Sequence, residues 1–180
     1  MKYLPIIIGC NYENSLKASI NDALLMYNLF YDFHKNNGWD EPILLTDKYK
    51  KISLQAIKKA LNKGNGDVIF YFSGHGHKNG HIVISDITLN CEMILNMLNK
   101  KRHIVFILDC CHSSSFHLNG HSFIYSSLYN EYAHECLTKI KFKHQYPILL
   151  MDKQNNKYPI SVFTYFYFLT LKKNKNAFQQ

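Results

Sequence analysis

The sequence predicts an α/β domain built on a mostly parallel central sheet of about five to six strands, with helices on both faces. Three observations carry this reading. Runs rich in β-branched and aromatic residues, such as "DVIFYFS" at 67–73 and "IVFILD" at 104–109, have the composition of buried strands. Between such runs lie segments of helical length and periodicity, the alternation expected of strand–helix–strand units. The 180 residues, 47% of them hydrophobic, are enough for one domain with a sizeable core.

Residues 4–9 ("LPIIIG") are the first expected strand, with Pro5 tolerated near its start. Over 19–34, Ile20, Ala23, Leu24, Tyr27, Phe30 and Tyr31 fall on one helical stripe, with Asn21 or Asp22 as N-cap and Gly38 ending the segment. A short strand at 42–45, a helix at 53–62 and a third strand at 67–73 follow. Asn79-Gly80 predicts a type I′ turn joining short strands around 76–77 and 81–85. Next come a helix at 92–98, a fourth strand at 104–109 and a fifth at 123–127. Helices at 131–137 and 161–171, with a hairpin strand at 148–151 between them, complete the chain.

A net charge of +8 raises the question of nucleic acid. Arg102 is the single arginine, however, and arginine is the preferred residue for phosphate and base-edge contacts. The lysines are scattered apart from 100–102 and 172–175, so a solvated surface with no nucleic-acid partner is expected. Five cysteines (Cys10, Cys91, Cys110, Cys111, Cys136) are an odd number without framework spacing. No window approaches the ~18 apolar residues of a membrane span, and the N-terminal apolar run is too short for a signal peptide. The expectation is a soluble, cytoplasmic monomer with free thiols and no prodomain.

Two of the expected strands end in reactive side chains with little beside them. "FYFSGHGHKNG" sets His75 between Gly74 and Gly76; "IVFILDCCHSSS" delivers Cys111 just before three serines. In a parallel sheet, sites gather at the carboxyl ends of the strands. A thiol becomes a useful nucleophile on losing its proton to a neighbouring imidazole, which His75 could supply. The flanking glycines leave the backbone open to a ligand, and the Gly76 and Cys111 amides could hold an oxyanion. The bland alternative for Cys110-Cys111 is a pair of buried small hydrophobes. A zinc site using His75, His77, Cys110, Cys111 or His112 is a rival, but adjacent side chains diverge, whereas zinc ligands are commonly two to four residues apart.

"YFSGHGH" and "FILDCCHSS" together resemble the metacaspases, caspase-like cysteine peptidases of family C14, whose motifs read Tyr-Ser-Gly-His-Gly and Asp-x-Cys-His-Ser-Gly. "IIIGCNYENSLKASINDALLMYNLF" is similar to the family's first strand and following helix, and "FIYSSLYNEYAHE" and "PISVFTYFYFL" to its small-subunit half. The resemblance implies a three-layer caspase-like α/β/α sandwich, with a large-subunit-like part over about 1–135 and a small-subunit-like part over about 140–180. It implies Cys111 as nucleophile, His75 as general acid/base and Cys110 as packing. It further implies endopeptidase action after Lys or Arg, the P1 side chain being held by Asp22, Asp109 and Ser73, with Ser19 standing where the family has Cys. Lys139, Lys141 and Lys143, between the halves, are candidate self-cleavage positions.

The chain also departs from that pattern. The loop after His75 is short, and Leu118 and Asn119 stand where an acidic calcium ligand is expected. Asp86 and Glu92 alone do not make the six or more oxygen ligands that calcium wants, so no metal or other cofactor is expected. Ser114 replaces the family's Gly, which together with the chain length motivates the alternative of a catalytically weak or inactive caspase-fold binding module.

Overall fold

Alternation along the strands divides the apolar side chains between two cores. The structure, a computed structural model, describes residues 2–13, 15–138 and 158–173. Its elements run β1 (Tyr3–Gly9), α1 (Ser19–Asn37), β2 (Ile43–Thr46), α2 (Leu54–Leu61), β3 (Asp67–His77), β4 (His81–Ile84) and β5 (Ile87–Leu89). They continue with α3 (Cys91–Asn96), β6 (Ile104–Cys110), a 3-10 turn (Ser113–Ser115), β7 (Ser122–Tyr125), β8 (Glu135–Thr138), β9 (Tyr158–Ser161) and α4 (Val162–Lys173). Five parallel strands lie in the order β2-β1-β3-β6-β7. The antiparallel hairpin β4–β5 grows from the end of β3, and β8 pairs with β9 in a separate ribbon.

Leu4, Ile6, Ile8, Phe70, Phe72 and Phe106 face the core under α2 and α3. Ile7, Ile69, Tyr71 and Ile107 face the core under α1 and α4. Strands buried on both faces explain why the sequence shows continuous apolar runs rather than alternating polarity. The result is a three-layer α/β/α sandwich with a mostly parallel sheet. Pro5 sits opposite Ile69, ahead of the β1–β2 pairing that starts at Ile6 and Ile43, so its missing N–H falls before β2 begins.

Four local expectations need correction. Neither Asn21 nor Asp22 caps α1: the helix starts at Ser19 with Ala18 in the cap position. Its first amides are satisfied from elsewhere, Ile20 N by Asn11 Oδ1 (3.0 Å) and Ala18 N by Glu135 Oε1 (2.9 Å). The β3–β4 connection is not a type I′ turn, because Gly80 has φ 73° and Asn79 does not share the left-handed conformation. With His77 opposite His81 and Gly80 N donating to His77 O (3.1 Å), it is a three-residue loop whose last residue is left-handed. Residues 131–134 lack regular structure and 135–138 are a strand, not a helix, since pairing with β9 overrides local propensity. Finally, His75 lies within β3 rather than past its end, because pairing with β4 prolongs the strand to His77. The hairpin strand expected at 148–151 and the lysines Lys139, Lys141 and Lys143 lie outside the described residues.

Gly9 fixes how closely α1 sits on the sheet. A Cβ there would come 2.5 Å from Ser19 O and 2.6 Å from Ala23 Cβ. Gly9→Ala is therefore expected to push α1 off β1 and destabilise the fold by about 2 kcal/mol, read as a lower denaturation midpoint in urea.

Candidate active site

The parallel register of β3 and β6 sets Ser73 beside Asp109 and Gly74 beside Cys110. His75 and Cys111 each follow by one residue, on strands that run about 4.8 Å apart. The approach is tight: a Cβ on Gly76 would lie 2.1 Å from Cys111 O and 2.8 Å from Cys110 Sγ. Only glycine lets β3 pass the end of β6 at this point.

His75 is half-buried and held from the β1–α1 loop. The Tyr12 ring lies against its imidazole, centroids 4.4 Å apart and planes 30° apart. The Tyr12 hydroxyl accepts from His75 N (2.8 Å) and donates to Val83 O, bridging β3 to β4. Ser15 Oγ lies 3.4 Å from His75 Nε2. Burial, assisted by the charge of His77, lowers the imidazole pKa below its ordinary value.

The two adjacent cysteines have opposite environments, as strand alternation requires. Cys110 is buried in the core beneath α2 and α3, and burial raises its thiol pKa well above the ordinary range. Cys10 and Cys91 are likewise pushed up to about 12 by burial. Cys111 is half-exposed. Beyond it, His112 adopts a left-handed backbone (φ 54°), pinned by its N–H to Glu131 O (2.9 Å) and by its Nδ1, 2.7 Å from Tyr129 O. Ser126 and Ser127 tie Cys110 down from the β7 side: Ser126 Oγ accepts from Cys110 N (3.1 Å) and Ser127 Oγ donates to Cys110 O (2.9 Å). Ser114 has no left-handed backbone, so a side chain at that position meets no conformational penalty.

On the α1–α4 side of the same edge, two carboxylates are sequestered. Asp22 is 0% and Asp109 3% exposed. Asp22 accepts from Ser73 Oγ (2.9 Å) and from Ser161 N (2.9 Å). Asp109 Oδ2 accepts from Ser161 Oγ and from Thr164 Oγ1 (2.5 Å), while its Oδ1 is buried with no partner. Burial raises the pKa of both; at Asp22 the charge of Asp109 adds to the effect. Among the described residues, no lysine or arginine pairs with either. Ser19 is buried in the first turn of α1, one turn before Asp22.

Thus Ser73, Asp22 and Asp109 come together, and His75, Gly76 and Cys111 share the adjoining edge. Asp22 is no helix cap; its backbone N–H donates to Ala18 O and its side chain accepts from Ser73 and Ser161. Ser161, Thr164, Tyr12 and Ser15 were not legible as site residues. Ser161 lies 139 positions from Asp22, and nothing in "YPISVFT" distinguishes it from helix-start chemistry. Tyr12 and Ser15 lie in a loop with no chemical motif of its own. Asp86 and Glu92 do not converge: Asp86 pairs with Lys51 (3.2 Å), and Glu92 sits in the first turn of α3. Among the described residues, no three His, Cys, Asp or Glu side chains are grouped as a metal site.

The contrast among the thiols sets an order of reactivity. Iodoacetamide at neutral pH is expected to alkylate Cys111 ahead of Cys10, Cys91 and Cys110, as read by peptide mass spectrometry. Prior modification of Cys110 would contradict the burial described above.

No helix among the described residues is long and apolar enough to cross a membrane. No curated protein matches the chain. Residues 3–172 match the family model for the caspase domain of the C14 peptidases. With nearly the whole chain matched, and a parallel α/β/α sandwich carrying His75 and Cys111 on adjoining strand ends, the protein belongs to the caspase-domain family of cysteine peptidases.

Proposed function

We propose that the protein is a cysteine endopeptidase of metacaspase type that cleaves after Lys or Arg by a His75–Cys111 dyad. The observation that carries the specificity is the sequestered pair Asp22 and Asp109 without a cationic partner among the described residues. Buried carboxylates are costly unless something positive or hydrogen-bonding meets them. Ser73, Ser161 and Thr164 meet three of the four carboxylate oxygens, and Asp109 Oδ1 is left for a guanidinium or ammonium group. Ser19, buried at the start of α1, is one turn before Asp22. An acidic P1 side chain, as true caspases take, would meet repulsion here.

In this reading His75 accepts the Cys111 proton and the thiolate attacks the carbonyl carbon, displacing its π electrons onto oxygen. Strand geometry supports the oxyanion role of the two amides. Successive amides in a strand point to opposite edges. His75 N–H points to the β4 side through Tyr12, so the next amide, Gly76, faces β6; Cys110 N–H points to the β7 side through Ser126, so the next, Cys111, faces β3. Protonated His75 then gives its proton to the leaving amine, and water hydrolyses the acyl-enzyme. Tyr12 and Ser15 are positioning residues for the imidazole. Asp86 is held by Lys51, a competing cation, which favours action without calcium.

Cleavage of Lys-P1 and Arg-P1 fluorogenic peptides tests the proposal. Cys111→Ala is expected to abolish turnover and His75→Ala to lower kcat/KM by about 10³-fold. Activity that survives Cys111→Ala would overturn the dyad; a protein that binds such peptides without turnover would instead be the caspase-fold binding module. Asp109→Asn should lower kcat/KM for Arg-P1 peptides by about 10- to 100-fold, the worth of a hydrogen bond to a charged group. Because the His75 pKa is lowered, the imidazole stays neutral and able to accept a proton further into the acid range. The acid limb of kcat/KM, which reports the free enzyme, is expected below pH 6.5. A chelator should leave the rates unchanged; full loss would establish a calcium requirement.

A further inference from the structure

A recess opens at the same sheet edge, apart from the buried carboxylates Asp22 and Asp109. It is a groove of about 570 Å³ lined by Gly76, His77, Lys78, Asn79, Thr88 and His112. We infer that this groove receives the substrate residues carboxyl-terminal to the scissile bond and favours acidic side chains there. The inference rests on the peptidase reading above and adds to it the second half of the substrate.

Position comes first. The groove takes Gly76 and His112, the residues immediately after His75 and Cys111, as parts of its wall. None of its lining comes from α1, β9 or α4, the elements that carry Asp22, Ser161 and Thr164. A peptide with its P1 side chain among Asp22 and Asp109 and its carbonyl at Cys111 must continue past His75, and the groove lies on that far side. Its wall residue Thr88 is in register with His75: His75 pairs with Val83 and Val83 with Thr88, so the three occupy one row across β3, β4 and β5. Directly opposed residues project to the same face. Two strand spacings from His75 to Thr88 are about 9–10 Å, room for about three extended residues.

The groove is also preformed. The hairpin tip is locked onto the nucleophile loop, since a Cβ on Gly80 would lie 2.4 Å from Ser115 O. His112 is buried and fixed by Tyr129 O and Glu131 O. Charge then selects. Lys78 and His77 are exposed at the rim, no carboxylate is among the lining residues, and no ion pair holds Lys78 among the described residues. The substrate class is therefore a bipartite peptide, basic before the cleaved bond and acidic after it.

The test uses internally quenched peptides with a common unprimed half ending in Arg and with Asp-Asp, Ala-Ala or Lys-Lys at P1′–P2′. An Arg-aminocoumarin reporter without primed residues runs beside them. Each acidic position is expected to raise kcat/KM about three-fold over a neutral one, so Asp-Asp exceeds Lys-Lys by about ten-fold or more. Lys78→Glu should collapse or invert that ratio. A flat primed series with the reporter still cleaved overturns the groove and leaves the peptidase reading standing. If neither the reporter nor any peptide is hydrolysed, both fall.

Discussion

The register between β3 and β6 is the constraint on which the sheet edge depends. Pairing Ser73 with Asp109 and Gly74 with Cys110 fixes three levels at once. Ser73 and Asp109 lie two residues before His75 and Cys111, and the groove wall starts one residue after each, at Gly76 and His112. Since side chains alternate along a strand, a slip of one residue would send Asp109 into the apolar core and Cys110 to the substrate face. The large apolar side chains on both faces, Phe70, Phe72 and Phe106 under α2 and Tyr71 and Ile107 under α1, make such a slip prohibitive. The core thereby sets the chemistry.

The edge is also where the fold departs from low-energy choices. Two carboxylates are buried a short distance apart, each raised in pKa by desolvation, with one oxygen of Asp109 unpartnered. A non-glycine residue, His112, is held left-handed directly after the half-exposed thiol. Both features are restrained by surrounding bonds: Ser161 and Thr164 bridge the carboxylates to the start of α4, and Glu131 and Tyr129 grip His112. Strain and orphaned polar groups gathered in one place are the mark of a site shaped for a ligand rather than for stability alone.

Burial sorts residues of the same type, two cysteines and two tyrosines, into different surroundings. Cys110 faces the core and stays a thiol, while Cys111, next in sequence, stands at the rim. Tyr12 and Tyr71 show the same dependence on place. The Tyr71 hydroxyl is spent inside the core on Thr164 (2.5 Å), reinforcing the Asp109 network, whereas the Tyr12 hydroxyl spans two strands and sets the imidazole.

The chain's own pattern determined the layers, most strands, and the placing of His75 and Cys111 on neighbouring strands, β3 and β6, at one sheet edge. Apolar runs at 67–73 and 104–109 are long and β-branched enough to be buried strands in any context, and such strands deliver their following residues to one edge. The family motifs singled out Asp22, Asp109 and Ser73, which the structure joins in one hydrogen-bonded cluster through Ser161. Only the tertiary structure decided the start of α1, the strand at 135–138, the continuation of β3 through His75 and the parts played by Ser161, Thr164, Tyr12 and Ser15. Each of those depends on a partner far away in sequence, such as Glu135 on the Ala18 amide or Ser161 on Asp22. Local propensity has no access to a hydrogen bond that exists only once the chain has closed on itself.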